Sequence, residues 1–474
     1  MIDLKTLTIK TAREKLDTHE FSAVELAQAY LDEIEKKNPE LNAYLEVFDD
    51  VLEQAKVADE RLAKGESTPL LGIPLAVKDN ILIQGKKVSA ASKMLENYIA
   101  AYDATVIKKL KSQGAVFLGR TNMDEFALGG STENSAFGVT RNPYDVNRVA
   151  GGTSGGSAAA VALDLALGAL GTDTGGSIRN PASFCGVVGL KPTYGAVSRS
   201  GIIAAVSSFD QAGPITKTVE DAEIIFNAIR GRDTLDSTSI DENVYKKSEQ
   251  KKVIGVPRGS FAGALAQDVI EKFNAALEYL KTQGYTIIDN LEFPSAKPAL
   301  SAYYIINFAE VSTNLARFDG VRYGLHLDGK NLLEDYLLAK GKGFGKETRR
   351  RVLLGAYVLS AGYYDAYYGK AVKAREQLRR EYMKAFETVD FIVTPTMPDT
   401  ALKIGEKSDP LPLYLEDVFT VTANLTGVPA ISIPMGTVER EGKNLPLGIQ
   451  FMAPHGAEEL LFEVGKKFED LSRE

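Results

Sequence analysis

The chain of 474 residues has no tryptophan, one cysteine and three histidines. A lone thiol, Cys185 in SFCGVVG, excludes a disulfide framework within the chain. It reads as a small buried hydrophobe rather than a nucleophile. A serine–histidine–aspartate triad would have to draw on His19, His326 or His455, and none of them stands in a recognisable triad motif. Lys and Arg number 55 against 63 Asp and Glu, and no long cationic block occurs, so the electrostatic footprint of a nucleic-acid grip is missing. The longest lipid-like run, Ala158 to Leu170, contains Asp164 and falls short of the roughly 20 residues that span a bilayer. The N-terminus MIDLKTLTIKTAREKL has charges every few residues and no apolar signal core, which points to a cytoplasmic protein. No Walker loop is found either. GFGKE at 343–347 ends in Glu where Ser or Thr would bind magnesium.

What is present is a core-forming composition, 44% apolar with 42 glycines, enough for one large α/β domain or two or three smaller ones. FSAVELAQAYLDEIEKKNP begins with a capping box, Ser22 and Glu25, and the pair Asn38-Pro39 should end that helix. GIPLAVKDN reads as a buried strand with its charge at the end. DATVIKKLKSQGAVFLGRTN reads as a helix closed by Gly114 and followed by a strand. The alternation returns around VIGVP, VIEKFNAALEYLKTQG and YTIID, and again in DFIVTPT, AISIPMG and LGIQFMA, so strands from both halves could share one sheet. Residues 231–252 read as a polar surface connection, and about 300–385 as a mainly helical segment that could cap a site.

Two glycine-rich loops dominate the middle, AGGTSGGSAAAVA from Ala150 and GTDTGGSIR from Gly171. Glycines let backbone approach a ligand closely, so the N–H groups of Thr174, Gly175, Gly176 and Ser177 could line one concavity and hold an oxyanion, with Ser177 at its edge. The plainer alternative is that the glycines make tight turns and Ser177 caps the next helix. A reactive serine needs a base. Lys78, at the end of an apolar strand, can serve if desolvation brings it from about 10.4 to near 7 or 8; otherwise it is a strand-end surface charge.

In this order, GIPLAVKDN, GGTSGGSAAAVA and TDTGGSIRNPASFCGVVGLKPT resemble the amidase signature family. The resemblance implies a single large domain over residues 1–474, a mixed β-sheet core flanked by helices on both faces, and a serine–cis-serine–lysine triad. Carried over by motif, Ser177 is the nucleophile, Lys78 the base and Thr153 the bridging residue. The family commonly has GGSSGGS where this chain has GGTSGGS. Thr153 keeps the γ-hydroxyl that a proton relay needs, and Ser154, one residue along, is the alternative.

TNMDEFALGGSTENSAFG, FDGVRYG, RRRVLLGAYVLSAGYYDAYY, NLTGVPAISIPMG and LPLGIQFMAP extend the resemblance over nearly the whole chain, towards the glutaminase subunits of tRNA-dependent amidotransferases. That branch implies glutamine as substrate, with Tyr303, Arg351 and Asp417 holding it. An arginine suits an α-carboxylate and an aspartate an α-ammonium. Without the resemblance, Arg351 is one of three arginines on a solvated helix face and Asp417 an ordinary helix charge. Gly129, Gly130 and Ser131 could line a substrate channel or simply turn the chain, and Asp173 and Arg179 should order the nucleophile loop rather than react. The same branch implies B and C partner subunits in a heterotrimer. ATP, magnesium and most tRNA contacts would then belong to a partner, leaving this chain without a cofactor or metal of its own. A stand-alone hydrolase of another small amide is the alternative enzyme, and a non-catalytic scaffold the alternative outside enzymes.

Overall fold

Short apolar runs in both halves of the chain become strands of one sheet in the computed structural model. Residues 2–241, 244–245, 251–261, 265–406 and 410–472 are described, and part of the polar connection at 231–252 lies outside them. The first half supplies β1 (Tyr44–Val47), β2 (Pro74–Lys78), β3 (Val116–Thr121), β4 (Gly168–Asp173), β5 (Val188–Lys191) and β6 (Gln211–Thr216). The second supplies β7 (Val253–Gly255), β8 (Thr286–Ile288), β9 (Phe391–Pro395), β10 (Ala430–Arg440) and β11 (Lys443–Met452). Their order is β1-β3-β2-β4-β6-β5-β10-β11-β9-β7-β8. β2 pairs parallel with β3 and β4, and β7 with β8 and β9, whereas β4–β6–β5–β10–β11–β9 run antiparallel. The sheet is therefore mixed, as expected, and every residue of β2, β4, β6 and β9 is buried. Continuous burial requires cover on both faces, which the flanking helices provide.

The N-terminal helix Ala23–Leu41 opens with the expected Ser22–Glu25 capping box. It does not stop at Asn38-Pro39. Pro39 lies inside its last turn, and Asn42 closes the helix in a left-handed conformation, its N–H reaching Asn38 O at 2.8 Å. Burial of Leu41 and the exchange of two hydrogen bonds between Asn38 and Tyr44 hold that turn and outweigh the amide proton a proline cannot donate. The apolar run 158–170 is divided between the helix Gly155–Ala162 and β4. No helix among the described residues is long and apolar enough to cross a membrane.

From Ala299 to Ala385 four helices, Ala299–Asn314, Leu332–Gly343, Lys346–Val358 and Tyr368–Ala385, replace the β/α alternation. They pack as a second apolar cluster, in which Tyr303, Ile306, Leu378 and Tyr382 join Met94 and Phe126 from the N-terminal half. Two scaffolds thus meet, the carboxyl ends of the parallel strands β2 and β4 and this helical lobe. Carboxyl ends of parallel strands are where α/β sheets present ligand-binding residues.

Candidate active site

Parallel pairing of β2 with β4, in the register Val77↔Leu170, sets Lys78 at the last position of one strand beside Thr172 of the other. The Lys78 ammonium position is completely buried. Its Nζ lies 2.6 Å from Thr153 Oγ1, 2.8 Å from Ser154 Oγ, 2.9 Å from Thr172 Oγ1 and 3.2 Å from Thr172 O. No carboxylate hydrogen-bonds it. Burial pushes the amine down to about 7, against the opposing pull of Asp124, Asp173 and Asp210 farther off. The strand-end surface charge is thereby excluded, and Lys78 is available as a neutral amine.

The two candidate relay hydroxyls differ in what else they do. Ser154 Oγ accepts from Lys78 and from the Thr172 N–H at 3.3 Å, and its own proton faces Thr172 O at 3.2 Å. That hydroxyl is fully committed. Thr153 Oγ1 makes only the contact to Lys78, which leaves a lone pair for a second proton partner. The Gly152–Thr153 peptide bond is cis, as the family resemblance implies. Gly152 itself admits no side chain, because a Cβ would sit 2.2 Å from Asp124 Oδ2 and 2.5 Å from the Ser131 nitrogen.

Ser177 is 7% exposed and stands one residue before the N-cap of the helix Arg179–Cys185. The cap is Ile178, without any side-chain bond, so Ser177 does not cap the helix. Its backbone carbonyl accepts from the Ser154 N–H at 3.1 Å, which ties the nucleophile loop to the relay loop. Its hydroxyl forms no hydrogen bond to another described residue; the structure joins Lys78 to Thr153 but leaves the last step to Ser177 unbonded.

The oxyanion assignment needs one correction. Gly176 N–H is not a free donor, since it binds Asp173 Oδ1 at 2.9 Å, while Ile178 N–H binds Oδ2 of the same carboxylate. An aspartate three residues ahead folds back on such a turn. The expected row of donors is thereby reduced to the N–H groups of Thr174, Gly175 and Ser177. Asp173 is also gripped by Arg179 at 2.9 and 3.0 Å and by Asn424 at 2.9 Å. Burial alone would raise that carboxyl, but the guanidinium holds it well below the usual range. Asp173 and Arg179 therefore order the loop, as anticipated. Cys185 is buried, its thiol pushed up by burial, and its Sγ faces Ala150 O.

A cavity of about 230 Å³ has a wall that includes Gly129, Gly130, Ser131, Tyr304, Arg351 and Asp417, and Gly130 and Ser131 lie against Gly152, the residue before Thr153. Asp124 shapes the glycine segment by accepting from the N–H groups of Ser131, Thr132 and Asn134. Arg351 is 4% exposed, unlike its neighbours Arg349 and Arg350, so the solvated-face reading fails for this one arginine of the three. Its Nε donates to Glu347 Oε1 at 2.8 Å and its Nη1 to Asn307 Oδ1 at 3.2 Å. Burial disfavours its charge, but Glu347 more than restores it. Asp417 accepts from the Tyr304 hydroxyl at 2.6 Å, and burial pushes its carboxyl up to about 7. A guanidinium and a carboxyl thus share the wall of one cavity.

Tyr303 does not line this cavity. It stacks on Phe209 and its hydroxyl lies against Gly175, where a Cβ would meet that oxygen at 2.2 Å. Its neighbour Tyr304 is the one on the wall, together with Glu347 and Tyr414, all three missed by sequence reasoning. Helical spacing could have flagged Glu347, four residues before Arg351. The histidines stand apart from Ser177. His326 pairs with Gly320 O and Asp328, and His455 with Thr426 O. Among the described residues no three His, Cys, Asp or Glu side chains gather as a metal site requires.

A family model described as Amidase matches residues 25–462. The A subunit of glutamyl-tRNA(Gln) amidotransferase from Thermoanaerobacter pseudethanolicus is 48% identical over 482 residues, covering 100% of this chain and 98% of the relative. The protein of that name from Desulfatibacillum aliphaticivorans is 49% identical over 475 residues, covering 98% and 97%. Among solved structures, the A subunit of glutamyl-tRNA(Gln) amidotransferase from Thermotoga maritima superposes with a TM-score of 0.81 at 40% identity, covering 100% of this chain and 96% of that one. The peptide amidase of Stenotrophomonas maltophilia gives a TM-score of 0.82 at 30% identity, covering 99% and 98%. With this match along almost its entire length, and with a buried lysine hydrogen-bonded to the Thr153 and Ser154 hydroxyls and a serine loop at the carboxyl end of its sheet, the chain belongs to the amidase family.

Proposed function

We propose that this chain is the glutamine-hydrolysing subunit of a tRNA-dependent amidotransferase. The observation that carries the reading is the cavity next to Gly152, which offers Arg351 to a carboxylate and Asp417 to an ammonium. A free α-amino acid has both groups, and glutamine adds the side-chain amide that an amidase cleaves. Names of relatives that cover nearly the whole chain point the same way.

In this mechanism the Ser177 proton passes through Thr153 to neutral Lys78 while Oγ attacks the amide carbon of glutamine. The oxyanion rests on the N–H groups of Thr174, Gly175 and Ser177. The lysine ammonium then returns its proton along the same path to the leaving nitrogen, releasing ammonia and an acyl-enzyme. Water, deprotonated by the same relay, cleaves the ester and frees glutamate. Ammonia passes to one partner subunit of a cytoplasmic heterotrimer, where ATP activates Glu-tRNA(Gln) or Asp-tRNA(Asn), while a small third subunit packs around the chain. Gly129, Gly130 and Ser131 line the way in.

The test is glutamine hydrolysis by the purified chain, alone and with co-expressed partners. Turnover that rises with partners and charged tRNA is the expected result. Faster turnover of other small amides, indifferent to partners, would instead make this a free-standing hydrolase.

A further inference from the structure

Arg351 and Asp417 carry opposite charges on the walls of one cavity, yet Arg351 is paired with a different carboxylate. Glu347, one turn earlier on the helix Lys346–Val358, takes the Nε side of the guanidinium. Glu347 is itself held in place. It accepts from the Tyr414 hydroxyl at 2.6 Å and also pairs with Arg350. Tyr414 stacks on Tyr304 with ring centroids 4.2 Å apart, and the Arg351 guanidinium carbon lies 5.3 and 5.6 Å from the two ring centres. The two hydroxyls point to opposite poles, Tyr414 to Glu347 and Tyr304 to Asp417.

This frame has a consequence for recognition. A guanidinium offers a carboxylate two bidentate edges, and Glu347 occupies the one that includes Nε. Asn307 Oδ1 accepts from Nη1 at 3.2 Å, so what remains is the second Nη1 proton and the Nη2 amine. A buried arginine cannot shed its charge, and without Glu347 the half-buried Asp417 on the same wall is a carboxylate left to draw it. Such a pair would cancel both receptors at once.

We propose that Glu347 and Tyr414 are positioning residues that keep Arg351 from pairing with Asp417 and present its remaining Nη protons, those not taken by Asn307, to the α-carboxylate of the substrate. The assignment rests on the glutaminase reading above. It goes further in naming the residues that make the cavity selective for a zwitterion.

The experiment uses the full chain with its co-expressed partners and two substrates, glutamine and its des-amino analogue glutaramate, which keeps the carboxylate but has no ammonium. Glu347→Gln is expected to raise KM for both by about 30-fold, with a much smaller fall in kcat, because a charge-assisted contact is lost in binding rather than in chemistry. Tyr414→Phe, a milder change on a partly exposed ring, should raise KM about 5-fold. Glu347→Asp should recover part of the loss. The decisive variant is Glu347→Gln combined with Asp417→Asn. If Arg351 has collapsed onto Asp417, removing that carboxylate lowers the KM for glutaramate again, towards that of Asp417→Asn alone, a recovery that no general loss of structure would give. An unrecovered KM, or Glu347→Gln with KM unchanged, overturns the positioning role while leaving glutamine hydrolysis intact. Absence of glutamine turnover by the unsubstituted complex overturns the glutaminase reading itself, and this assignment with it.

Discussion

Lys78 and Arg351 are both buried cationic side chains, a few per cent exposed at most, and their surroundings treat them in opposite ways. Lys78 meets only hydroxyls and a carbonyl, so its charge has no anion to lean on and burial brings it to about 7. Arg351 meets a carboxylate and two aromatic faces and stays charged. Burial alone does not decide which buried base is neutral; the partners do. Burial at the carboxyl end of β2 favours a neutral amine, and the helical lobe holds a fixed charge.

Exchanging the two side-chain types breaks this contrast most sharply. Lys78→Arg places a group that cannot deprotonate where the base should be, and glutamine hydrolysis should lose about 10⁴-fold in kcat/KM. The reciprocal change, Arg351→Lys, should cost about 100-fold, chiefly in KM, because one ammonium cannot give two parallel hydrogen bonds. Equal losses in kcat from both would erase the distinction. Within the relay, Thr153→Val should lower kcat about 10³-fold, whereas Ser154→Ala, which removes an anchor rather than a carrier, should lower it about 10-fold. The reverse ranking would move the relay to Ser154.

The smallest effect is in pH dependence. Lys78 must be unprotonated to accept a proton, so kcat should rise with pH through about 7 and fall about tenfold per unit below it. Asp417, also pushed to about 7 in the empty cavity, must be ionised to receive an ammonium. The acid limb of kcat/KM should therefore be steeper than that of kcat, and Asp417→Asn should remove the excess slope. Identical limbs for kcat and kcat/KM would separate Asp417 from substrate binding.

How much of this can be read from the sequence follows the same division. β2, its terminal lysine and the two serine–glycine loops are local patterns, each legible within ten residues, and the structure places them as the motifs suggest. Gly176 departs from its expected role because a row of backbone donors also needs its acceptors counted. The Asp173 carboxylate three residues upstream folds onto one of them. The recognition cavity has no such local pattern. Its wall joins residues near 130, 304, 350 and 415, brought together only by the packing of the helical lobe against the Asp124–Ser131 loop. Arg351 is reached through resemblance alone, and the choice between Tyr303 and Tyr304 turns on which face of one helix meets the cavity, a matter of 100° that weak amphipathicity on Ala299–Asn314 does not fix.

Holding a lysine where its proton is unwelcome has a thermodynamic side. In the unfolded chain Lys78 keeps its proton up to its ordinary 10.5, whereas in the folded protein it gives it up near 7. Between those values the unfolded state binds more protons, so stability rises with pH there, and below 7 the fold bears the full penalty, about 3 to 5 kcal/mol. This buried lysine is a standing weakness in the core of the sheet. Lys78→Met should yield an inactive protein that is harder to unfold than the parent at pH 6, with the advantage fading towards pH 10. Chemical denaturation at the two pH values would show it, and a gain independent of pH would mean that the lysine is not held in the neutral form at all.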